Sequence, residues 1–389
     1  MFTFRPLPWE YAIRNLFRRP ARTLLTLAGL TTVIVLVFVV VGFIRGLEKS
    51  LATSGDPHVA LVFSEGMGEN LEYSSIEMRT ADLVPASVEG IRQRYGRKYV
   101  SPELYLGTQM SSGLGEQPSF GLVRGVTPGV LLVRNRVEIE KGRWPEIDEV
   151  MIGRLAATKL GLDQGDLAVG DTLTFEGRIW KISGMFSAAG SVFESEVWCR
   201  LDDLQQAMKR QDLSLVALTL SPPVDFSELK IFCKDRYDLN LMVMPENEYY
   251  AQLQSDYRPI RWLAWLVVLL VSGAGVFAGL NTMYGAVLGR IPEIASLQTI
   301  GFVRRAVVVS LIQEGVLLSA AASLLATIAA FALVNGSAIR FTMGAFELHI
   351  DNMAILIGCG TGLLLGCLGS IPPAWRAVRM PIVEGLKTV

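Results

Sequence analysis

The side chains that could carry out chemistry are few in this 389-residue chain. His58 and His349 are its two histidines, which leaves little from which to build a histidine metal cluster or a Ser-His-Asp triad. Two adjacent acidic pairs have the type used in acid–base catalysis: Asp148 with Glu149, and Asp202 with Asp203. Both pairs lie beside predicted turns or helix starts, where carboxylates more often cap a helix or stay solvated. The sequence therefore favours a protein that is not an enzyme, with no catalytic residue and no metal site.

The sequence also lacks the phosphate-binding motif of the P-loop ATPases. The sequence contains no Gly-Lys dipeptide, so it lacks the phosphate-binding loop and its lysine. This chain cannot be a P-loop ATPase by itself, and we expect no cofactor in it. The sequence does not tell whether Cys199 and Cys233 form a disulfide bond.

The amino-acid composition is typical of a membrane protein. Hydrophobic residues make up 51% of the chain and charged residues 19%, with a mean hydropathy of +0.38. Four runs contain no charged residue, and each exceeds the ~20 residues that cross a bilayer: 23–44, 262–289, 315–339 and 352–375. With their flanks they predict four transmembrane helices, at 23–45, 261–289, 306–339 and 352–375. The first run is too long for a signal peptide and is expected to be a retained anchor.

Charge separates the chain into two parts. Residues 47–258 contain 31 acidic and 22 basic residues, a net charge of −9, while the remainder has 6 acidic and 14 basic residues, a net charge of +8. Arginines concentrate in the short segments 1–22, 290–305 and 376–389, which the positive-inside rule assigns to the cytoplasm. The prediction is a multi-pass protein of the cytoplasmic (inner) membrane. Its termini are cytoplasmic, and residues 46–260 and the short loop 340–351 lie outside.

The inserted segment 46–260 has the pattern of an α/β domain. Short β-rich runs alternate with helical segments, and Glu176-Gly177 is typical of a tight hairpin turn. We expect two lobes, one from 47–90 with 210–258 and one from 100–205. The predicted fold class is thus a membrane α-helical protein with a large α/β (α+β) extracytoplasmic domain between helices 1 and 2.

Two segments beside the predicted spans have the pattern of surface helices. Segment 9–19 places apolar residues at helical spacing, and Arg14, Arg18 and Arg19 can meet anionic lipid or an acidic partner. A plain membrane anchor that sets topology is the alternative. Segment 290–305 predicts a short cytoplasmic helix with Pro292 at its start. It either contacts a partner or is an interfacial helix without one. Its candidate contact residues are Pro292, Glu293, Ile294, Leu297, Gln298, Gly301, Arg304 and Arg305.

Small residues recur every four positions in two predicted spans and indicate close helix packing. The positions are Gly275 and Gly279 in the second span, and Gly358, Gly362, Gly366 and Ser370 in the fourth. The pattern does not tell whether these faces meet within one chain or across a dimer. Glu314 lies early in the third span, where a charge is costly. A structural hydrogen bond and a coupling role are both open for it.

Three motifs resemble one family. Segments 14–27 (RNLFRRPARTLLTL), 292–301 (PEIASLQTIG) and 373–386 (PAWRAVRMPIVEGL) look like signatures of MacB/FtsX-type ABC transporter permeases. The motifs GRWP at 142–145 and EVMIG at 149–153 look like that family's extracytoplasmic core domain. The resemblance extends over the whole chain. This chain differs from the family pattern in having no fused ATPase, and it has Gln298 where relatives often have a basic residue.

The resemblance implies a permease subunit that pairs with a second permease copy or a paralogue. A separate cytoplasmic ABC ATPase would bind ATP-Mg and drive motion of the external domain. The implied outcome is export or extraction of a lipoprotein, lipid, peptide or small molecule, or mechanotransmission to a periplasmic adaptor or envelope protein. Membrane lipid is an expected partner and nucleic acid is not. The alternative is a membrane-anchored interaction module that recruits an envelope protein without transport.

Overall fold

The computed structural model describes residues 9–67, 71–112, 118–163, 165–342 and 344–379. The chain divides into two units. The helical unit consists of Met1–Arg45, Pro259–Ser337 and Leu348–Val389, and the inserted domain consists of Gly46–Arg258 with Ala338–Glu347.

The helices are, in chain order, Trp9–Arg18 (α1), Pro20–Ser54 (α2), Thr80–Ser87 (α3), Val130–Val133 (α4), Ala156–Leu160 (α5), Leu201–Met208 (α6), Ser227–Asp235 (α7), Glu246–Asp256 (α8), Arg258–Leu288 (α9), Ile291–Thr299 (α10), Arg304–Leu333 (α11) and Asn352–Arg379 (α12). Short 3₁₀ turns occur at Glu65–Met67 and Val192–Ser195.

The strands are Val59–Ser64 (β1), Ile76–Glu77 (β2), Gln93–Arg94 (β3), Arg97–Lys98 (β4), Val100–Met110 (β5), Ser119–Val126 (β6), Glu138–Gly142 (β7), Glu149–Gly153 (β8), Thr172–Phe175 (β9), Arg178–Ser187 (β10), Val197–Arg200 (β11), Asp212–Leu213 (β12), Leu215–Thr219 (β13), Leu241–Pro245 (β14), Ala338–Arg340 (β15) and Ala345–Glu347 (β16).

Four helices of the helical unit are long and apolar enough to cross a bilayer: α2, α9, α11 and α12. Their ends differ from the uncharged runs because a charged side chain ends an apolar run without ending a helix. Helix α2 continues to Ser54, past Arg45 and Glu48, and α11 already begins at Arg304. Helix α11 ends at Leu333, before the end of the predicted span 306–339. The chain then turns at Gly336, whose φ of +79° suits glycine.

The inserted domain is built on a mixed sheet that has ten strands among the described residues. The strand order is β14-β1-β13-β5-β6-β11-β8-β10-β7, and β9 pairs with β10. The strands of the first predicted lobe, β14, β1 and β13, lie at one end of this order. The strands of the second predicted lobe, which begin with β5, make up the rest. The hairpin at Glu176-Gly177 is confirmed, because β9 and β10 are antiparallel and both turn residues have positive φ. The four long helices and this α/β domain confirm the predicted fold class.

Each face of the sheet carries a buried apolar cluster. On β1, Ala60 and Val62 pack on one face while Val59, Leu61 and Phe63 pack on the other. This explains why the strand is apolar throughout rather than alternating. On the first face the Trp180 ring stacks on Phe175, with 4.8 Å between ring centroids.

Cys199 and Cys233 are both buried free thiols in this domain, which settles the open disulfide question for this structure. Burial raises the pKa of the Cys233 thiol to about 11. Neither cysteine is therefore a reactive thiolate near neutral pH.

The connection between α11 and α12 contributes a hairpin to the inserted domain. Strands β15 and β16 pair antiparallel. The Lys159 ammonium donates to the carbonyl oxygens of Phe341 and Thr342, at 3.1 and 2.7 Å, and Arg154 pairs with Glu347 at 3.1 Å. The sequence analysis treated 340–351 as a separate loop because none of these contacts is local.

Candidate functional site

Helix α10 is packed against the helical unit through one apolar face. Pro292 and Glu293 occupy its first turn, and Gly301, with a φ of +105°, follows its end. Ile294 and Ala295 are buried, and Ile294 joins an apolar cluster whose other buried members are Val287, Val307, Leu311, Ala374 and Ala377. The side of α10 that faces the spans is thus defined by Ile294 and Ala295.

Leu297 also belongs to this inner side, where it is half-buried in the same cluster. The open side instead contains Glu293, Ser296 and Ile300, and the Ile300 side chain is 76% exposed. Ile300 follows Thr299, the last residue of α10, and its amide still donates to the Ser296 carbonyl oxygen at 3.1 Å. Ile300 is an exposed apolar residue that the sequence analysis did not name among the candidate contacts.

An ion pair holds the start of α10 to α11. Arg290 precedes α10, and its guanidinium donates two hydrogen bonds to the Glu314 carboxylate, at 2.8 and 3.0 Å. Both side chains are nearly buried, with 12% and 9% of their surfaces exposed. The two hydrogen bonds fix the relative orientation of the two side chains and also stabilise the pair. Glu314 therefore pairs with Arg290, an arginine that the sequence analysis used only to assign the orientation of the chain.

The amino-terminal helix α1 makes a second, weaker contact with α10. Arg18 pairs with Glu293 at 3.0 Å, but both side chains are about half exposed, so the pair contributes less than ~1 kcal/mol. The Arg19 guanidinium lies beside Gly289, at 3.0 Å from the place where a Cβ would be. Arg14, like Arg304 and Arg305 at the start of α11, is exposed. Gln298 is half-buried on α10.

The small residues of α12 face helices of the same chain. A Cβ added at Gly358 would lie 2.5 Å from the Phe38 ring on α2. At Gly362 it would meet Ser323 on α11 at 2.2 Å, and at Gly366 it would meet Ser319 at 2.2 Å. Such distances leave no room for a side chain.

Ser370 and the two glycines of α9 complete this set. Ser370 lies against Gly315 of α11, whose added Cβ would be 2.8 Å from the Ser370 Cβ. Gly275 lies 3.0 Å from Val33 of α2 by the same measure, and Gly279 lies 3.8 Å from Gly369 of α12. All of the small residues named for helix packing in the second and fourth spans thus have close neighbours on other helices of the same chain.

A buried ion network crosses the inserted domain. Arg124 pairs with both Glu103 and Glu196, and Arg134 pairs with Glu103 and Glu246. All five side chains are at most 4% exposed. Burial acts to raise the pKa of Glu103, but Arg134 and Arg124 outweigh it and hold the pKa below 4.5. The sequence analysis missed this network because its members are far apart along the chain.

Two sequence families match the chain. Residues 23–230 match the MacB-like periplasmic core domain, and residues 265–382 match the FtsX-like permease C-terminal domain. The first match alone covers more than half of the chain. No protein of curated function matches significantly.

Two solved structures are similar to the inserted domain. The periplasmic region of MacB from Actinobacillus actinomycetemcomitans is 11% identical, with a TM-score of 0.39 over 54% of this chain and 97% of that one. The extracellular domain of the ABC-type transporter YknZ from Gram-positive bacteria is 15% identical, with a TM-score of 0.37 over 48% of this chain and 99% of that one. On its two sequence matches, the chain belongs to the MacB/FtsX-type family of ABC transporter permeases, as a membrane-embedded permease component with an extracytoplasmic domain.

Proposed function

We propose that this permease couples ATP hydrolysis by a separate cytoplasmic ATPase to motion of its extracytoplasmic domain, with α10 as the receiving element. The observation that carries the proposal is the way α10 is held. Ile294 is buried against the spans and Arg290 is clamped to Glu314, while Ile300 remains open. A helix held in this way moves together with α9 and α11. Force applied to its open side is therefore delivered to the spans rather than absorbed in a loose loop.

The proposal includes an orientation and a set of partners. Both termini and α10 face the cytoplasm, in agreement with the arginines of 1–22, 290–305 and 376–389. The partner ATPase binds ATP-Mg, and a second permease copy or a paralogue completes a dimer. The work done on the extracytoplasmic domain serves export, extraction of a lipoprotein or lipid, or mechanotransmission to an envelope protein.

The test is replacement of Ile300 by aspartate. The full chain is reconstituted in lipid nanodiscs with its partner ABC ATPase, and the affinity between them is measured together with the ATP hydrolysis rate of the complex. A carboxylate buried unpaired in an interface costs several kcal/mol, and each ~1.4 kcal/mol is tenfold in affinity. Ile300→Asp should therefore weaken ATPase binding by at least about tenfold.

A matched control is available on the inserted domain. Ile179 of β10 is 68% exposed, so Ile179→Asp is the same change at a similar exposure, and it should leave ATPase binding unchanged. Leu297→Asp is a poorer test because Leu297 is half-buried among the spans, and its substitution would disturb packing as well as docking. If Ile300→Asp binds and stimulates the ATPase like the unsubstituted chain, α10 is not the receiving element. A membrane-anchored interaction module would then be the better description.

A further inference from the structure

The inserted domain contains a partly open cavity that no part of the proposed coupling uses. Its volume is about 430 Å³, within the range of roughly 300–1,000 Å³ typical of small-molecule sites. Its walls come from the last turns of α2, from α8, from the sheet, and from Phe341 with the segment 344–346. Leucines and aromatic rings, including Leu51, Leu253 and Phe346, form most of the surface.

A buried polar group at this cavity has no protein partner among the described residues. The Ser50 side chain is 3% exposed, and its hydroxyl has no hydrogen-bond partner among the described residues. By contrast, Ser54, one turn further along α2, donates to the Ser50 carbonyl oxygen at 2.7 Å. A buried hydroxyl left without a partner costs about 1–3 kcal/mol. The Ser50 hydroxyl has no exposed surface of its own, so it reaches a ligand in the cavity by rotating about χ1.

Tyrosines add further polar groups to the same wall. Tyr105, Tyr249 and Tyr250 line the cavity. Burial raises the pKa of Tyr250, so its hydroxyl stays neutral and can donate. The rings present aromatic faces as well, which attract a cation when water is excluded.

The charged groups at the cavity all have one sign. Glu72, Glu196 and Asp256 line it, and no lysine or arginine does so among the described residues. Glu196 pairs with Arg124, whereas Glu72 makes no ion pair or hydrogen bond within the described ranges. Burial raises the pKa of the Glu72 carboxyl in spite of the Lys159 ammonium, which acts on it electrostatically and itself donates to the carbonyl oxygens of Phe341 and Thr342. The adjoining network also contains three glutamates for two arginines. An anionic ligand would meet Glu72 and Asp256 here, whereas a bound ammonium group would favour the ionised form of Glu72.

We infer that this cavity binds a small amphiphilic amine, whose apolar body packs against the leucines and rings while its ammonium group pairs with Glu72. Ser50 and the tyrosine hydroxyls accept the remaining N–H groups. This site goes beyond the proposed coupling function, because ligand binding at the cavity requires neither the ATPase nor α10.

The experiment compares two dansyl probes that share an apolar body and differ in charge. Dansylcadaverine presents a primary ammonium, and dansyl-6-aminohexanoate presents a carboxylate. Each is titrated into the full chain in zwitterionic lipid nanodiscs without an ATPase, with empty nanodiscs as the blank. The amine should bind saturably and at least about tenfold more tightly than the acid.

Substitution at Glu72 then assigns the charge preference to this cavity. Glu72→Gln should lower amine affinity by about tenfold and leave the acid no weaker. Ser50→Ala should weaken the amine by a smaller factor. Glu138→Gln, an exposed carboxylate on β7, is the matched control and should have no effect. The thermal unfolding midpoint of each variant verifies that the fold is retained.

Three results would overturn the inference. These are equal affinity for the two probes, unchanged amine affinity in a folded Glu72→Gln variant, and an amine signal no greater than that of empty nanodiscs. The last would also be obtained if a membrane phospholipid occupied the cavity. Failure of the Ile300→Asp test leaves this inference intact, and its own failure leaves the coupling proposal intact.

Discussion

Replacing Gly366 by alanine tests how closely α11 and α12 approach each other. A methyl group there would lie 2.6 Å from the Ser319 Cβ and 2.7 Å from the Gly315 carbonyl oxygen, whereas ordinary contact begins at 3.4 Å. The Ser319 hydroxyl, at 2.2 Å, can rotate away, but the backbone carbonyl cannot. The Ser319 Cβ is also fixed by its backbone, so the helices must separate locally by about 0.8 Å, the shortfall between 2.6 and 3.4 Å.

The magnitude follows from two opposing effects. Forcing a methyl group into a packed contact costs about 1–3 kcal/mol. Alanine is, however, favoured over glycine within a helix by up to ~1 kcal/mol. Gly360 lies in the same helix and has no atom within 4 Å of its added Cβ, so Gly360→Ala gains the helix preference without the clash. The difference between the two variants isolates the clash, and it should be about 1–3 kcal/mol.

The assay is thermal unfolding of the full chain in one detergent, followed by circular dichroism, with equal protein and detergent concentrations for both variants. We expect Gly366→Ala to unfold several degrees below Gly360→Ala, since a larger protein shifts by about 2–4 °C per kcal/mol. Equal midpoints for the two variants would mean that α11 and α12 do not meet at Gly366, and the packing described for α12 would have to be abandoned.

Two further predictions concern the inserted domain and the orientation. Arg134 and Arg124 hold the pKa of Glu103 low against the effect of burial, so the unfolded chain takes up this proton first, and domain stability should fall as pH drops below about 4.5. Glu103→Gln should lower the unfolding midpoint at pH 7 and flatten its decline between pH 7 and 3, and an unchanged slope would contradict this assignment. In sealed spheroplasts a membrane-impermeant maleimide should label Tyr237→Cys, at an 84% exposed position, and should label Ile300→Cys only after permeabilisation. Labelling of Ile300→Cys from outside would reverse the proposed orientation.

The spans and several strands of the inserted domain could be predicted because their signals are local. A run of apolar residues long enough to cross a bilayer is visible without knowing its neighbours. The hairpin at Glu176-Gly177 is equally local, since a tight turn depends on the residues within it. Strand β5 has no such local signal, although it has eleven residues, because Pro102 and Gly107 interrupt its β pattern. Its partners β6 and β13 are what stabilise it.

The paired charges could not be predicted for a different reason. Arg290 and Glu314 are 24 residues apart, and Arg124 and Glu196 are 72 residues apart. Whether such residues meet depends on the rotation of a helix or the register of a strand, which sequence spacing does not determine. The small residues of α12 show the intermediate case. Their four-residue spacing predicts a smooth face, but only the structure identifies α2 and α11 as what packs against it.

Helix α10 illustrates why its surroundings matter for the proposed coupling. A nine-residue helix is too short to be stable alone in water, where isolated helices need roughly 12–15 residues. Its form therefore depends on the burial of Ile294 and on the clamp between Arg290 and Glu314. Removing either partner of the clamp would leave a nearly buried charge unpaired, at a cost of about 3–5 kcal/mol. Under the proposed coupling, a partner that displaces α10 would therefore either break this pair or move α11 together with α10.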